Sequence, residues 1–503
     1  MARALLFRIA VLALVPLLLL AAEAGLRLVG YGCRTSFFLE THIGSRPVFV
    51  ENAKFGLGFF PPNQARSPAP VVMDAVKAAN IYRIFLLGES AALGDPDAAY
   101  GAGRYLETLL NGRFPAAHFE VVCVAMTAIN SHAIRSIARE CARHEGDLWI
   151  IYMGNNEMVG PFGAATTVFG LHSPPLGLIR LNLALQGTRL GQLLMAAVRG
   201  LNGGKANQAA VWDGMKTFAD NTFTPNDSRK EGVYNNFRAN LEDILRAGRD
   251  SGAKIILNTV AVNLKDCAPF GSLSATNLPE PARLAYGQTC RSAIADENEG
   301  RFADATRLYG EAEKVCPKSA ELEFLQASSL LRLTNYPAAG EHFELARDYD
   351  TLPFRTDSRI NALITQIGRQ YSSPSLVFCD AARLIASNSP SGIPGVENFY
   401  EHVHFNFDGN YCLALGWAEV AARLLPAGLT NRAGPAWASQ ESCERDLGVT
   451  DWNRYFVLEK ALARVLAAPF TGQLDHSAQL HQVTNQLLEI KSRLRPDAVA
   501  QAR

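Results

Sequence analysis

Five short apolar runs, separated by helical stretches, most constrain what this 503-residue chain can fold into. They are Tyr82-Arg83-Ile84-Phe85-Leu86-Leu87, His118 to Val124, Leu148 to Met153, Ala253 to Val260 and Ser375 to Cys379. Antiparallel strands with one wet face alternate polar and apolar residues. Near-continuous apolar strands separated by helices instead predict an α/β fold with a parallel sheet covered on both faces. In such sheets the chemistry sits in loops at the carboxyl ends of the strands.

The chain is too long for one ordinary domain and predicts two to four units. Apolar residues make up 48% and charged residues 19%, enough to bury a large core. With 48 Lys plus Arg against 48 Asp plus Glu, no basic field exists to collect nucleic acid. At the N-terminus, Arg3 and Arg8 precede an uncharged run of 14 residues, Ile9 to Ala22. Ala22-Glu23-Ala24 reads as a signal-peptide cleavage site, whereas Ala4 to Phe7 and Gly25 to Val29 lengthen the helix toward a retained membrane anchor. Either reading of residues 1–30 predicts export, with the anchor placing the remainder on the extracytoplasmic side of the membrane. Nine scattered cysteines lack C-x-x-C spacing, which argues against a zinc or thioredoxin-like site. Cys123 and Cys379 read as buried small hydrophobes, and Cys290 with Cys316 is a candidate pair.

Residues 282–350 carry no strand signal and repeat. Gly300-Arg301-Phe302-Ala303-Asp304-Ala305 is followed 34 residues later by Thr334-Asn335-Tyr336-Pro337-Ala338-Ala339. The same offset carries Tyr309 onto Phe343 and Ala312 onto Ala346, and Pro317 ends the first unit. Small residues at fixed helical sites let helices pack closely while an aromatic fills the gap to the next pair. Period, small residues and terminal Pro resemble the tetratricopeptide (TPR) repeat, which implies an all-α insertion and a protein partner; the plainer alternative is a helical hairpin. Residues 160–235, rich in Gly, Asn and Thr, read as loops over the active face. The tail, 426–503, is helical in pattern (Trp452 to Leu466, His476 to Leu494) and shows no recognisable chemistry.

Three loops, with a backbone N–H from a fourth, carry the candidate chemistry. After the first run, Gly88-Glu89-Ser90 places a hydroxyl at a strand-to-helix turn, where helix N-terminal amides favour negative charge. After the third run, Gly154-Asn155-Asn156-Glu157 offers a side-chain amide; between them, Ala125 to Asn130 offers a backbone N–H. Far downstream, Glu401-His402-Val403-His404 sets a carboxylate three residues before a histidine that can serve as a base for Ser90. His402 is a competing base, and Glu401 with both histidines is also a metal-binding alternative. Arg355 and Arg359 are candidates to hold a substrate carboxylate or phosphate, or to pair with Asp357.

Together, Gly-Glu-Ser, Gly-x-Asn-Glu and Glu-x-x-His resemble the SGNH/GDSL hydrolase superfamily over residues 75–270 and 370–425, interrupted by the helical repeats. The resemblance implies a flavodoxin-like three-layer α/β/α core and esterase chemistry without a metal or organic cofactor. It makes Ser90 the nucleophile, His404 the general base and Glu401 the orienting acid. Asn156 and the N–H groups of Ser90 and Ala128 become the oxyanion hole. Glu89, Glu157 and Glu401 stand where the superfamily usually has Asp, and Ala128 where it usually has Gly. The implied substrate is an ester, such as an acylated envelope carbohydrate, with hydrolysis and acyl transfer both open. The alternative is a catalytically weak scaffold whose repeats recruit a partner in an envelope assembly.

Overall fold

The computed structural model describes residues 2–166, 173–201, 214–218, 221–430, 434 and 436–494. Among the described residues, the chain builds a mixed α/β structure with two sheets. The first is a small antiparallel sheet of β1 (Phe38–Ile43), β2 (Arg46–Glu51) and β3 (Val72–Asp74). The second contains β4 (Ile81–Gly88), β5 (His118–Cys123), β6 (Leu148–Tyr152), β7 (Lys254–Asn258) and β8 (Leu376–Cys379). Its order is β5-β4-β6-β7-β8 and every pairing is parallel. All five expected runs are strands of this sheet. The small sheet has no counterpart among the expected elements, because its strands are largely half-exposed and carry charges and a proline.

Register explains why these strands are apolar throughout. Leu86, Ile150 and Ile256 align and share one face, on which Gly103 of the helix Ala102–Arg113 packs against Leu86. The helix Phe407–Leu424 lies on the same face, where the Trp417 indole N–H donates to Asn258 at 2.8 Å. Phe85, Trp149 and Ile255 share the other face, and Gly248 of the helix Arg229–Asp250 packs against Trp149 and Ile255. Both faces are therefore covered. The chain runs from β4 outward to β5, then returns to the far side of β4 for β6. Loops at the carboxyl ends of these strands thus diverge around a crevice at the reversal point.

Between β7 and β8 the helices Glu280–Asn298, Phe302–Val315, Ala320–Arg332 and Tyr336–Asp348 pack each on the next. Phe302 and Tyr336, separated by the 34-residue offset, each open a helix. Ala305, Tyr309 and Ala312 are buried, as are Ala339, Phe343 and Ala346. Phe324 and Phe343 join Val262, Leu264, Ile393 and Val403 in one apolar cluster, so the insertion packs beside the loop that carries the histidines. The sheet domain resumes before residue 370, because the helix Ser358–Gln370 already packs on the sheet through Gly368 and Phe378.

Two regions differ from the expectation. The segment 160–235 contains the helices Leu176–Gln186 and Arg189–Leu201 rather than loops alone; 167–172, 202–213 and 219–220 lie outside the described residues. A helix also runs from Ala2 to Leu28, yet among the described residues no helix is long and apolar enough to cross a membrane. The uncharged stretch Ile9 to Ala22 falls short of the roughly 20 residues a bilayer core requires. Glu23 instead pairs with Arg27 and accepts the Leu190 N–H at 2.9 Å. Cys379 is buried and Cys123 half-buried, and all nine cysteines, Cys290 and Cys316 included, are free thiols.

Candidate functional site

Ser90 opens a one-turn helix, Ser90–Leu93, directly after β4. Gly88 allows the tight approach behind it: a Cβ there would stand 2.2 Å from the Tyr152 carbonyl oxygen. The Ser90 N–H, in the first turn of this helix, has no intrahelical acceptor. Asn156, after β6, donates through Nδ2 to the Ile129 carbonyl at 3.0 Å, which leaves its second amide hydrogen for another acceptor. Ala128, after β5, has φ of +64°, the left-handed region that favours glycine. Its methyl borders the cavity.

Two buried carboxylates, Glu89 and Glu157, build the scaffold of this crevice. Glu89 accepts the N–H groups of Asn155 at 2.7 Å and Asn156 at 3.3 Å, tying the turn after β6 to the turn that holds Ser90. Glu157 accepts from the Ser131 N–H at 2.7 Å and its hydroxyl at 2.8 Å. Burial, with Glu157 close by, pushes the Glu89 carboxyl well above its ordinary value, and burial raises Glu157 from 4.5 to about 7. Between those two values the unfolded chain releases a proton that the folded chain keeps, so stability falls as pH rises through that window. Glu157→Gln should therefore melt higher than wild type at pH 8 and lose that advantage at pH 5. Thermal melts across this range check it; parallel curves would contradict the assignment.

The downstream loop is pinned by an isolated bridge between Phe399 and Phe405 and by the Tyr400 N–H donating to the His404 carbonyl at 2.9 Å. Asn406 then caps the helix Phe407–Leu424. His404 Nε2 lies 2.8 Å from Ser90 Oγ, and its Nδ1 contacts Glu401 Oε1. His402 makes no hydrogen bond to Ser90; its Nδ1 contacts the other oxygen of the same carboxylate, Glu401 Oε2. One buried carboxylate thus orients two imidazoles, and of the two it is His404 that meets the serine. Burial alone would raise Glu401, but the two histidines beside it hold its carboxyl well below the usual carboxylate range. Burial pushes His402 down to about 4, against the pull of Glu401.

Arg464 lies on the helix Asp451–Val465, in the tail that shows no chemistry in sequence. Its Nη1 donates to Glu401 Oε1 at 2.7 Å and lies 2.7 Å from His404 Nδ1, while Nη2 donates to Asp95 Oδ1 at 2.5 Å. Burial opposes the charge on Arg464, but Asp95 and Glu401 overcome it and raise its pKa. Burial likewise opposes the charge on Asp95, and Arg464 and His404 outweigh it and lower its pKa. A basic residue on an amphipathic helix reads as a solvated face, so only its place in space marks it.

Ser90, Ala128, Asn156, His402, His404 and Arg464 all line one cavity of about 310 Å³, whose apolar wall includes Phe218, Phe354 and Phe470. Arg355 and Arg359 do not line it. Arg355 is buried, donates to the carbonyls of Asn263 and Cys267 at 2.9 and 2.7 Å, and has Asp350 at 3.6 Å. Arg359 is exposed, pairs with Glu231 and stacks 4.1 Å over Tyr234. Asp357 pairs with neither; it caps its helix at Ile360 and accepts from Tyr234. Both arginines thus sit outside the cavity, with partners elsewhere in the fold.

Among the described residues, Glu401, His402 and His404 gather three metal-ligand atoms within 4.8 Å. Each histidine Nδ1 is engaged with the carboxylate, and the Arg464 cation lies on the same carboxylate, a charge that opposes a second cation there. The donor set fits a hydrogen-bonded network better than a metal centre. The chain matches no protein-family model, and no curated protein matches it.

Proposed function

We propose that this protein is an exported serine esterase of SGNH type. The observation that carries the reading is the line from Ser90 Oγ to His404 Nε2, 2.8 Å, continued from the opposite ring nitrogen to the buried carboxylate of Glu401. Ser90 Oγ attacks an ester carbonyl while His404 Nε2 takes its proton, and Glu401 holds the ring and balances its charge. The oxyanion is met by the N–H groups of Ser90 and Ala128 and by Asn156 Nδ2. His404 returns the proton to the leaving alcohol, and water or a second alcohol, activated by the same imidazole, releases the acyl group. The reaction needs no metal or organic cofactor.

The strand order 2-1-3-4-5 supports a flavodoxin-like three-layer SGNH core. The 34-residue offset with buried small and aromatic residues supports a TPR-like insertion that recruits a protein partner. The N-terminal helix acts as an export signal, with the catalytic unit outside the cytoplasm. A small dialkyl fluorophosphonate should label the wild type stoichiometrically on the peptide containing Ser90, with Ser90→Ala as the blank. No labelling would favour the scaffold reading over the esterase.

A further inference from the structure

The esterase reading leaves His402 unused, although its ring lines the same cavity as Ser90 and is only 4% exposed. Its plane is set by the edges of Phe270, Phe354 and Phe470, with ring centroids 5.6, 6.3 and 5.6 Å away. Its Nδ1 contacts an ionised carboxylate that can only accept, so this nitrogen carries the ring proton. Nε2 is then an acceptor lone pair, and among the described residues no hydrogen bond reaches it. Because His402 lines the cavity, an unpaired acceptor on its ring is placed to take a hydrogen bond from a ligand donor.

We propose that His402 accepts a hydrogen bond from a hydroxyl on the alcohol portion of the ester, which makes monoacylated polyols, glycerol or sugar esters, the substrate class of this cavity. A carboxylate or phosphate ester oxygen has no hydrogen to offer Nε2. An ammonium would enter beside Arg464, whose cation already sits on Glu401 and Asp95. A neutral hydroxyl satisfies both constraints. His402 is in this role a specificity residue, while His404 alone moves the proton of Ser90. The proposal rests on the esterase reading.

The test compares kcat/KM for 1-O-acetylglycerol and ethyl acetate, which share the acyl group and differ in neighbouring hydroxyls, with p-nitrophenyl acetate as reference. The wild type should favour the glycerol ester by about 10- to 100-fold. His402→Phe keeps an aromatic ring in the box of phenylalanines but offers no acceptor, and it should bring that ratio close to one. His402→Gln, which retains a carbonyl oxygen, should keep part of it. A loss transmitted through Glu401 lowers all three rates alike and leaves the ratio intact. A wild-type ratio near one, or an unchanged ratio in His402→Phe, overturns the hydroxyl assignment while the esterase stands. No turnover of any of the three esters by the wild type overturns the esterase and the proposal with it.

Discussion

Turnover of p-nitrophenyl acetate should fall roughly 10³-fold or more when Ser90 is replaced by alanine, with the fold unchanged. The serine is 6% exposed and the substitution removes one oxygen, so no cavity of consequence opens in the core. What disappears is the hydroxyl that lies 2.8 Å from His404 Nε2. The Ser90 and Ala128 amides and Asn156 remain, and they would still polarise a bound carbonyl, so a residual rate above background is expected. His404→Ala should lose a comparable amount, and the double variant scarcely more, because the pair acts as one unit. Equal rates for wild type and Ser90→Ala, on matched samples with superimposable melting curves, would remove the esterase reading.

Arg464→Met should destabilise the fold by about 3 kcal/mol and lower activity as well, because it strips the cation from a carboxylate that has no contact with water. Glu401 is fully buried, whereas the Arg464 side chain is 26% exposed, which keeps the expectation at the lower end for a broken buried pair. Asp95 loses its partner in the same change. The pH dependence gives a second readout. Glu401 is held well below its ordinary value of 4.5, so it contributes stability above that pH and loses it as pH falls through the folded value. Removing the arginine raises the folded value, and acid unfolding should begin at higher pH than in wild type. Arg464→Lys keeps the charge but not the fork that spans Glu401 and Asp95, and should fall between. Melts at several pH values, with p-nitrophenyl acetate turnover alongside, check both. An Arg464→Met protein with wild-type melting and acid sensitivity would make the arginine a bystander.

The strands of the main sheet and the three loops of the site were legible in sequence because both depend on local pattern. A strand buried on two faces must be apolar along its length, and the loops follow from where such strands stop. The turn at Gly88-Glu89-Ser90, the amide at Asn156 and the spacing of Glu401 and His404 are of this kind. So is the 34-residue offset, since Ala305 and Ala339 must be small wherever helices stack. The small sheet β1–β3 was not legible, because half-exposed strands with polar residues lack a continuous apolar signature. Arg355 shows the same limit from the other side: beside Asp357 in sequence it resembles a ligand clamp, and in space it serves two carbonyls.

By itself, then, the sequence determined the sheet and which residues stand at its carboxyl edge, because burial imposes a period that any short window displays. Only the tertiary structure decided which of two histidines meets the serine, that one carboxylate orients both, and that a distant helix adds Arg464. The physical reason is that charge pairing is set by distance in space. Glu401 and Arg464 are 63 residues apart, and Asp95 and Arg464 are 369 apart. No local pattern encodes such a meeting; packing of the helices that carry these groups does.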